Sequence, residues 1–211
     1  MPSDAPLPAD RLFDLLGADY EKAFGHLPEQ HAALEWLGER LRAGARVLDV
    51  GSGTGVPTAR VLADKGFRVE GIDVSGVMVE LARRQVPEAV FHRADVREFQ
   101  VEPGSVDAVC AFFPLLQMTR ADIDVSLHRM AEWLRPGGYL VLGTVPGDVE
   151  QVDIVFMGHA ARVSSYAAAD YPDRVRLAGL EILELREREF VPDHRDGVPE
   201  NHLFVYCRRP E

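Results

Sequence analysis

Between residues 46 and 65 the chain passes from a strand through glycines into a helix. Arg46-Val47-Leu48-Asp49-Val50 is a short apolar run, and Gly51-Ser52-Gly53-Thr54-Gly55 sets three glycines at alternate positions. Helical spacing follows over about 56–65, with Pro57 where a first helical turn tolerates proline. A strand that turns through glycine into a helix begins a parallel α/β unit, because parallel neighbours need a crossover. The alternation then repeats. Strand patterns fall at 67–72, 89–92, 106–112 and 139–145, the last after the turn Arg135-Pro136-Gly137-Gly138. Between them, helix 76–85 has Ser75 as N-cap, and Thr119 caps helix 120–134 with Asp122 in a capping-box-like spacing. This order predicts a mostly parallel sheet with helices on both faces. Two further helical stretches, 9–24 and 28–43, precede the sheet, the second with Leu34, Leu37 and Leu41 at helical spacing beside Trp36. Residues 1–8 carry three prolines and read as a loose N-terminus. After the sheet, 181–190 reads as an edge strand, 192–199 as a reversing loop and 201–207 as a final strand. Seven strands result, with the last two as an antiparallel pair at one edge.

Length and charge narrow the field. The 211 residues suit one domain, and 46% hydrophobic with 27% charged residues is ordinary for a globular chain. A net charge of −11 repels a phosphate backbone, so neither nucleic acid nor membrane is an expected partner. No apolar run reaches the ~18 residues of a membrane span, and the start lacks the character of a signal peptide. Cys110 and Cys207 sit apart in strand-like runs, as reduced thiols of a cytoplasmic protein do. No internal repeat or low-complexity tract is present.

The glycine loop implies a ligand of nucleotide type, because glycine lets backbone approach closely. Its spacing is neither of the two common ones. A dinucleotide fingerprint requires glycine or alanine at position 56, which is Val56, and a P-loop requires a Gly-Lys pair that the chain lacks. What remains is G-x-G-x-G with Asp49 just before it. Asp73 ends the second predicted strand, and the ends of the first two strands are neighbours where such sheets bind ligands. A carboxylate there suits two ribose hydroxyls; Ser75 is better placed as the helix cap.

Residues 47–55, Asp73, Ala94-Asp95-Val96 and Leu134-Arg135-Pro136-Gly137-Gly138-Tyr139-Leu140 together resemble the successive motifs of class I S-adenosylmethionine-dependent methyltransferases. The resemblance covers about 45–145. It implies a Rossmann-like seven-stranded α/β sheet and S-adenosyl-L-methionine as cofactor, leaving S-adenosyl-L-homocysteine as product. By that resemblance Gly51, Gly53 and Gly55 cradle the methionine part, Asp49 orients its amino end and Asp73 holds the ribose. Asp95 accepts from the adenine amine, the Val96 backbone lies at the ring, and carbonyls near Cys110 and Ala111 meet the ammonium. The chain then reads as one methyltransferase domain over 1–211. Residues 1–44 form a helical cap, 45–145 the cofactor-binding core, and 146–211 an acceptor-side insert with the C-terminal strands.

The segment after the fourth strand reads Cys110-Ala111-Phe112-Phe113-Pro114-Leu115-Leu116-Gln117. It lacks the polar residue of base-amine methyltransferases and the carboxylates of magnesium-dependent catechol-type enzymes, so no metal is expected. Phe112, Phe113, Leu115 and Leu116 instead offer an apolar wall for a small organic acceptor, with one or two of the four serving the core. Tyr20 and Phe24 resemble residues that cover cofactor and acceptor in small-molecule members, and Tyr166 orients the acceptor or shapes its pocket. A hydroxyl acceptor benefits from a general base. Among seven histidines, His159 and His202 are the foremost candidates and His31 the third. The expected activity is metal-independent methyl transfer to a small acceptor. The bias of 21 Arg to 2 Lys suggests a high-GC bacterial genome and secondary metabolism. Two alternatives stay open, a cyclase or rearrangement catalyst holding the cofactor structurally and a non-catalytic methyltransferase-like partner. Acceptor identity, the atom methylated and the oligomeric state are not encoded in these motifs.

Overall fold

The computed structural model describes residues 5–195 and 197–211. Part of the loose N-terminus expected over 1–8 and one position of the 192–199 loop therefore lie outside the described residues. The element order is α1 (Ala9–Leu16), α2 (Ala18–Phe24), α3 (Pro28–Gly38), β1 (Arg46–Val50), α4 (Thr58–Asp64), β2 (Arg68–Asp73), α5 (Gly76–Gln85) and β3 (Val90–Arg93). It continues with β4 (Val106–Phe112), α6 (Arg120–Trp133), β5 (Leu134–Thr144), β6 (Val149–Phe156), β7 (His159–Ser165), α7 (Tyr171–Leu177), β8 (Glu181–Phe190) and β9 (Glu200–Arg208).

Seven strands form one sheet in the order β3-β2-β1-β4-β5-β9-β8. The first five are parallel, and β9 runs antiparallel between β5 and β8. Strand order reverses between β1 and β4, which opens a crevice at their carboxyl ends. Helices cover both faces, which is why β4 is buried at every position instead of alternating. One face packs Leu48, Val50 and Val109 against Leu127 and Met130 of α6 and Val175 of α7. The other packs Val47, Val69 and Cys110 against Leu34 and Leu37 of α3, Leu62 of α4 and Val79 of α5. Ser75 and Thr119 cap their helices as expected, accepting from Met78 N at 3.0 Å and Asp122 N at 3.1 Å.

Three local features differ from the sequence expectation. The stretch 9–24 is two helices, because Gly17 at φ 46° turns the chain between α1 and α2. The Arg135–Gly138 turn is absorbed into β5, whose pairing with β4 slips between Val106 and Ala108. Within the insert, β6 and β7 form a separate antiparallel hairpin, and α7 follows it. β6 is exposed along most of its length, so it shows no buried face for periodicity to reveal.

The mouths of β1 and β4 opposite the crevice are fastened by one buried carboxylate. Asp107 accepts from the Arg46 backbone N–H at 2.8 Å, Arg135 Nε at 2.6 Å and Arg42 Nε at 3.3 Å. Burial works against its charge, but the Arg46 N–H and the two guanidinium groups outweigh it and hold the carboxyl below its ordinary value. Such a depressed carboxylate stabilises the fold above the unfolded value and stops doing so as acid protonates it. Asp107→Asn should lower the unfolding free energy by about 2 kcal/mol at neutral pH. Urea titration checks it; a loss no larger than that of the exposed Arg42→Ala would show that the clamp carries nothing.

Candidate active site

The glycine turn at the end of β1 is held by its neighbour strand. Gly51 N and Ser52 N donate to Ile72 O at 2.8 and 3.0 Å, and Gly53 N donates to Asp73 Oδ2 at 2.9 Å. The other oxygen of Asp73 accepts from Ser75 N at 2.9 Å. Two left-handed glycines of the turn differ in their surroundings. At Gly51, with φ 70°, a Cβ would come within 2.5 Å of the Pro114 Cβ, so the segment after β4 packs directly on the turn. At Gly53, with φ 53°, a Cβ would meet nothing within 4 Å, because that position faces open space.

That space is a cavity of about 310 Å³. Its floor is Val50, Gly51, Gly53, Ile72 and Asp73, with Ala94 and Val96 to one side. Phe112, Phe113, Pro114, Leu116 and Gln117 form a wall, and Glu200 and His202 of β9 close the far end. The roof comes from Leu12, Phe13, Tyr20 and Phe24 of the N-terminal helices and from Ile154, Phe156 and Ala161 of the β6–β7 hairpin. Aromatic contacts knit it together, with Tyr20 on Phe24 at 4.9 Å and Phe24 on Phe156 at 5.9 Å between ring centroids. Leu7 N donates to Ala160 O at 2.9 Å and joins the chain's beginning to the hairpin. Phe113 adopts φ 64°, a strained value for a bulky side chain, and its ring lies 4.7 Å from that of His202.

Charge is placed sparingly around this apolar space. Asp49 lies beneath the turn, and its Oδ2 is buried without a hydrogen-bond partner. Burial, with the charge of Asp73 adding to it, pushes the Asp49 carboxyl up to about 8. Burial also raises Asp73, against the backbone N–H groups of Ser75 and Gly53. The Tyr20 hydroxyl is raised by burial and by the charges of Glu200 and Asp73, so it feels both ends of the cavity.

The structure brings Gly51, Gly53, Asp73, Val96, Phe112, Phe113, Tyr20, Phe24 and His202 together on the cavity wall. Other candidates sit elsewhere. Gly55, at φ 82°, faces Val86 and Phe91, while Ala111 and Leu115 are core residues. Asp95 is off the wall, its carboxylate held by Arg97 Nη2 at 2.6 Å and Nε at 3.0 Å. The Tyr166 hydroxyl donates to Asp124 Oδ2 at 3.0 Å and packs beside α6 instead of the cavity. His159 begins β7 opposite Phe156 without lining the cavity, and the exposed His31 meets only the Gly25 carbonyl at 3.4 Å. Glu200, Pro114 and Phe156 belong to the site although no sequence motif marked them. For Glu200 a signal existed: residues two apart on a strand share a face, and His202 was already a candidate.

A glycine turn, a carboxylate at the end of the adjacent strand and a crevice at the strand-order reversal define a Rossmann-like nucleotide-binding domain. The family model for a methyltransferase domain matches residues 47–138. Over 82% of its length the chain is 34% identical to 27-O-demethylrifamycin SV methyltransferase of Amycolatopsis mediterranei, covering 70% of that protein. It is 28% identical to O-methyltransferase cnsE of Penicillium expansum over 93% of its length and 75% of that protein. The chain spans 59% of the length of a further relative from Streptomyces halstedii. Among solved structures, the cyclase SpnF superposes with a TM-score of 0.74 at 23% identity, covering 99% of each chain. The chain belongs to the class I S-adenosylmethionine-dependent methyltransferases, and S-adenosylmethionine is its cofactor.

Asp49 carries a stability consequence independent of any ligand. Its folded value of about 8 lies above the ordinary 3.8, so the native protein keeps a proton that the unfolded chain releases. Stability is therefore greatest below the ordinary value and declines as pH rises toward about 8. Asp49→Asn should flatten that decline and raise the melting temperature at pH ~8 by about 4 °C in the ligand-free protein. Thermal unfolding across pH measures this; parallel curves for the two proteins would show that Asp49 stays ionised.

Proposed function

We propose that this chain transfers methyl groups, without a metal, to a small, largely apolar organic acceptor of bacterial secondary metabolism. One observation carries the reading. The same cavity has the glycine turn and Asp73 at one end and an aromatic and aliphatic wall at the other. The residues fit the cofactor on their own chemistry. Gly53 leaves open space over the turn, and Asp49 presents a buried oxygen that lacks a donor. Backbone at Gly51 and Gly53 would cradle the methionine part, with Asp49 toward its ammonium, while Gly55 and Ala111 support the turn and strand from the core. Asp73 would take the ribose hydroxyls on its remaining lone pairs, since each carboxylate oxygen accepts more than one bond. Ala94 and Val96 would flank the adenine, and Asp95 would meet its amine after releasing Arg97. When bound, the cofactor supplies a methyl group already activated on a sulfonium.

The protein's own task is then alignment and exclusion of water. Phe112, Phe113, Tyr20 and Phe24 would hold the acceptor against the cofactor, and fixed geometry of this kind removes on the order of 7–11 kcal/mol of barrier. Of the three histidines, His202 lines the cavity, where it stands behind Glu200, whereas His159 and His31 do not line it. The acceptor end carries one carboxylate, Glu200, too few oxygen ligands for a magnesium site.

A second reading is favoured by the apolar lining and by the likeness to a cyclase fold. In it, the cofactor is a structural part and the enzyme cyclises or rearranges a bound hydrocarbon chain. Release of S-adenosylhomocysteine separates the two, since only methyl transfer produces it.

Asp73→Ala should weaken S-adenosylmethionine at least about tenfold, the loss of charge-assisted bonds worth roughly 1.5–3 kcal/mol each. Gly53→Val should weaken it further, because its side chain would enter the open space. Calorimetry tests both, and unchanged affinity in Asp73→Ala would remove that residue from the site. Turnover should also persist in EDTA; a requirement for added magnesium would sink the metal-independent mechanism.

A further inference from the structure

Resting on the proposed acceptor site, we infer that Glu200 selects an apolar acceptor whose polar group is a hydrogen-bond donor, a hydroxyl or an ammonium, with His202 behind it as a positioning residue. The two side chains share one face of β9, and His202 Nε2 lies 3.0 Å from Glu200 Oε2. Glu200 stands in front: its side chain is 24% exposed, against 2% for His202. A carboxylate only accepts, so Nε2 carries the proton in this pair and Nδ1 is left bare. Nδ1 is buried without a partner, as that tautomer allows. The ring is gripped by Phe113 at 4.7 Å and Phe190 at 5.4 Å, which fixes the direction of its N–H toward Glu200.

The other polar groups of the cavity sharpen the preference. Ser165 Oγ already donates to Val145 O at 2.7 Å, and Ser164 Oγ accepts from Gln151 N at 3.0 Å. Gln117 Nε2 is spent on Leu7 O at 3.4 Å, and its Oε1 is buried without a donor. The acceptor end thus offers the Glu200 carboxylate in apolar surroundings, with the hydroxyls of Tyr20 and Ser164 as donors. Low local polarity strengthens a bond from O–H or N–H to Glu200 and equally strengthens repulsion of an anion. An apolar carboxylate of the same shape is disfavoured.

The test is calorimetric and needs no turnover. The protein is loaded with S-adenosylhomocysteine and titrated with naphthol, naphthylmethylamine and naphthoate, probes of one shape. Wild type should bind naphthol or the amine at least about tenfold more tightly than naphthoate, a difference of 1.4 kcal/mol. The preferred probe of the first two tells a hydroxyl site from an ammonium site. Glu200→Gln should bring naphthoate within about threefold of naphthol with S-adenosylhomocysteine affinity retained, which also reports an intact fold. His202→Gln keeps an N–H directed at Glu200 and should preserve most of the preference, whereas His202→Phe should lose it. Equal binding of naphthol and naphthoate by the loaded wild type overturns the inference, as does an unchanged preference in Glu200→Gln. Binding of none of the probes overturns the apolar acceptor reading, and failure of S-adenosylhomocysteine to bind overturns the cofactor reading beneath both.

Discussion

The bond from Gly53 N to the Asp73 carboxylate is the contact on which the rest of the site depends. It joins the turn after β1 to the end of β2, and its other oxygen holds the chain entering α5. The turn is thereby shaped without bulk. Left-handed backbone at Gly51 and Gly53 lets Pro114 press on one side while the other stays open. A carboxylate that spends itself on backbone donors is an ordinary structural device. Here it also lies on the wall of a cavity, so the same side chain that shapes the turn borders open space. The cost is a buried charge that burial alone would discharge, and a second acid, Asp49, lies near enough to feel it.

The two ends of the cavity differ in how their charge is managed. Asp49 and Asp73 are both pushed toward their neutral forms by burial. Glu200 instead has a histidine donor at its back and two aromatic rings around that donor. Tyr20 spans the distance between them and feels both carboxylates. The strained backbone of Phe113 places its ring against His202, so local strain serves to fix the far wall.

The floor of this site was legible because its determinants are local. Glycine spacing, the acid at the end of the second strand and the capping residues Ser75 and Thr119 each act within a few positions of themselves. The mostly parallel sheet followed from alternation alone, because parallel neighbours demand a crossover. The roof was not legible. β6 shows no buried face, and its pairing with β7 depends on contacts to Leu7 and the N-terminal helices far away in sequence. The break at Gly17 hid within one amphipathic stretch, because two short helices can share one apolar stripe. Leu115, Tyr166 and His159 resembled pocket residues by position in the chain, but side-chain direction decides the matter, and it is set by packing on α6 and by pairing across the hairpin. The motif that marks Asp95 does not reveal that Arg97, two residues away, takes the same oxygens and holds them off the cavity wall.

The roof has a consequence of a different kind. Its two halves come from the beginning of the chain and from an insert about 140 residues later, and a short parallel bridge between Leu7 and Ala161 seams them. The floor, by contrast, is drawn largely from the unbroken run between Arg46 and Phe112. Roof and floor of one cavity are thus written in separable stretches of gene. Exchanging the first thirty or so codons together with those of the hairpin would reroof the cavity while leaving its floor and the Glu200 wall untouched. Exchanging either alone would tear the seam.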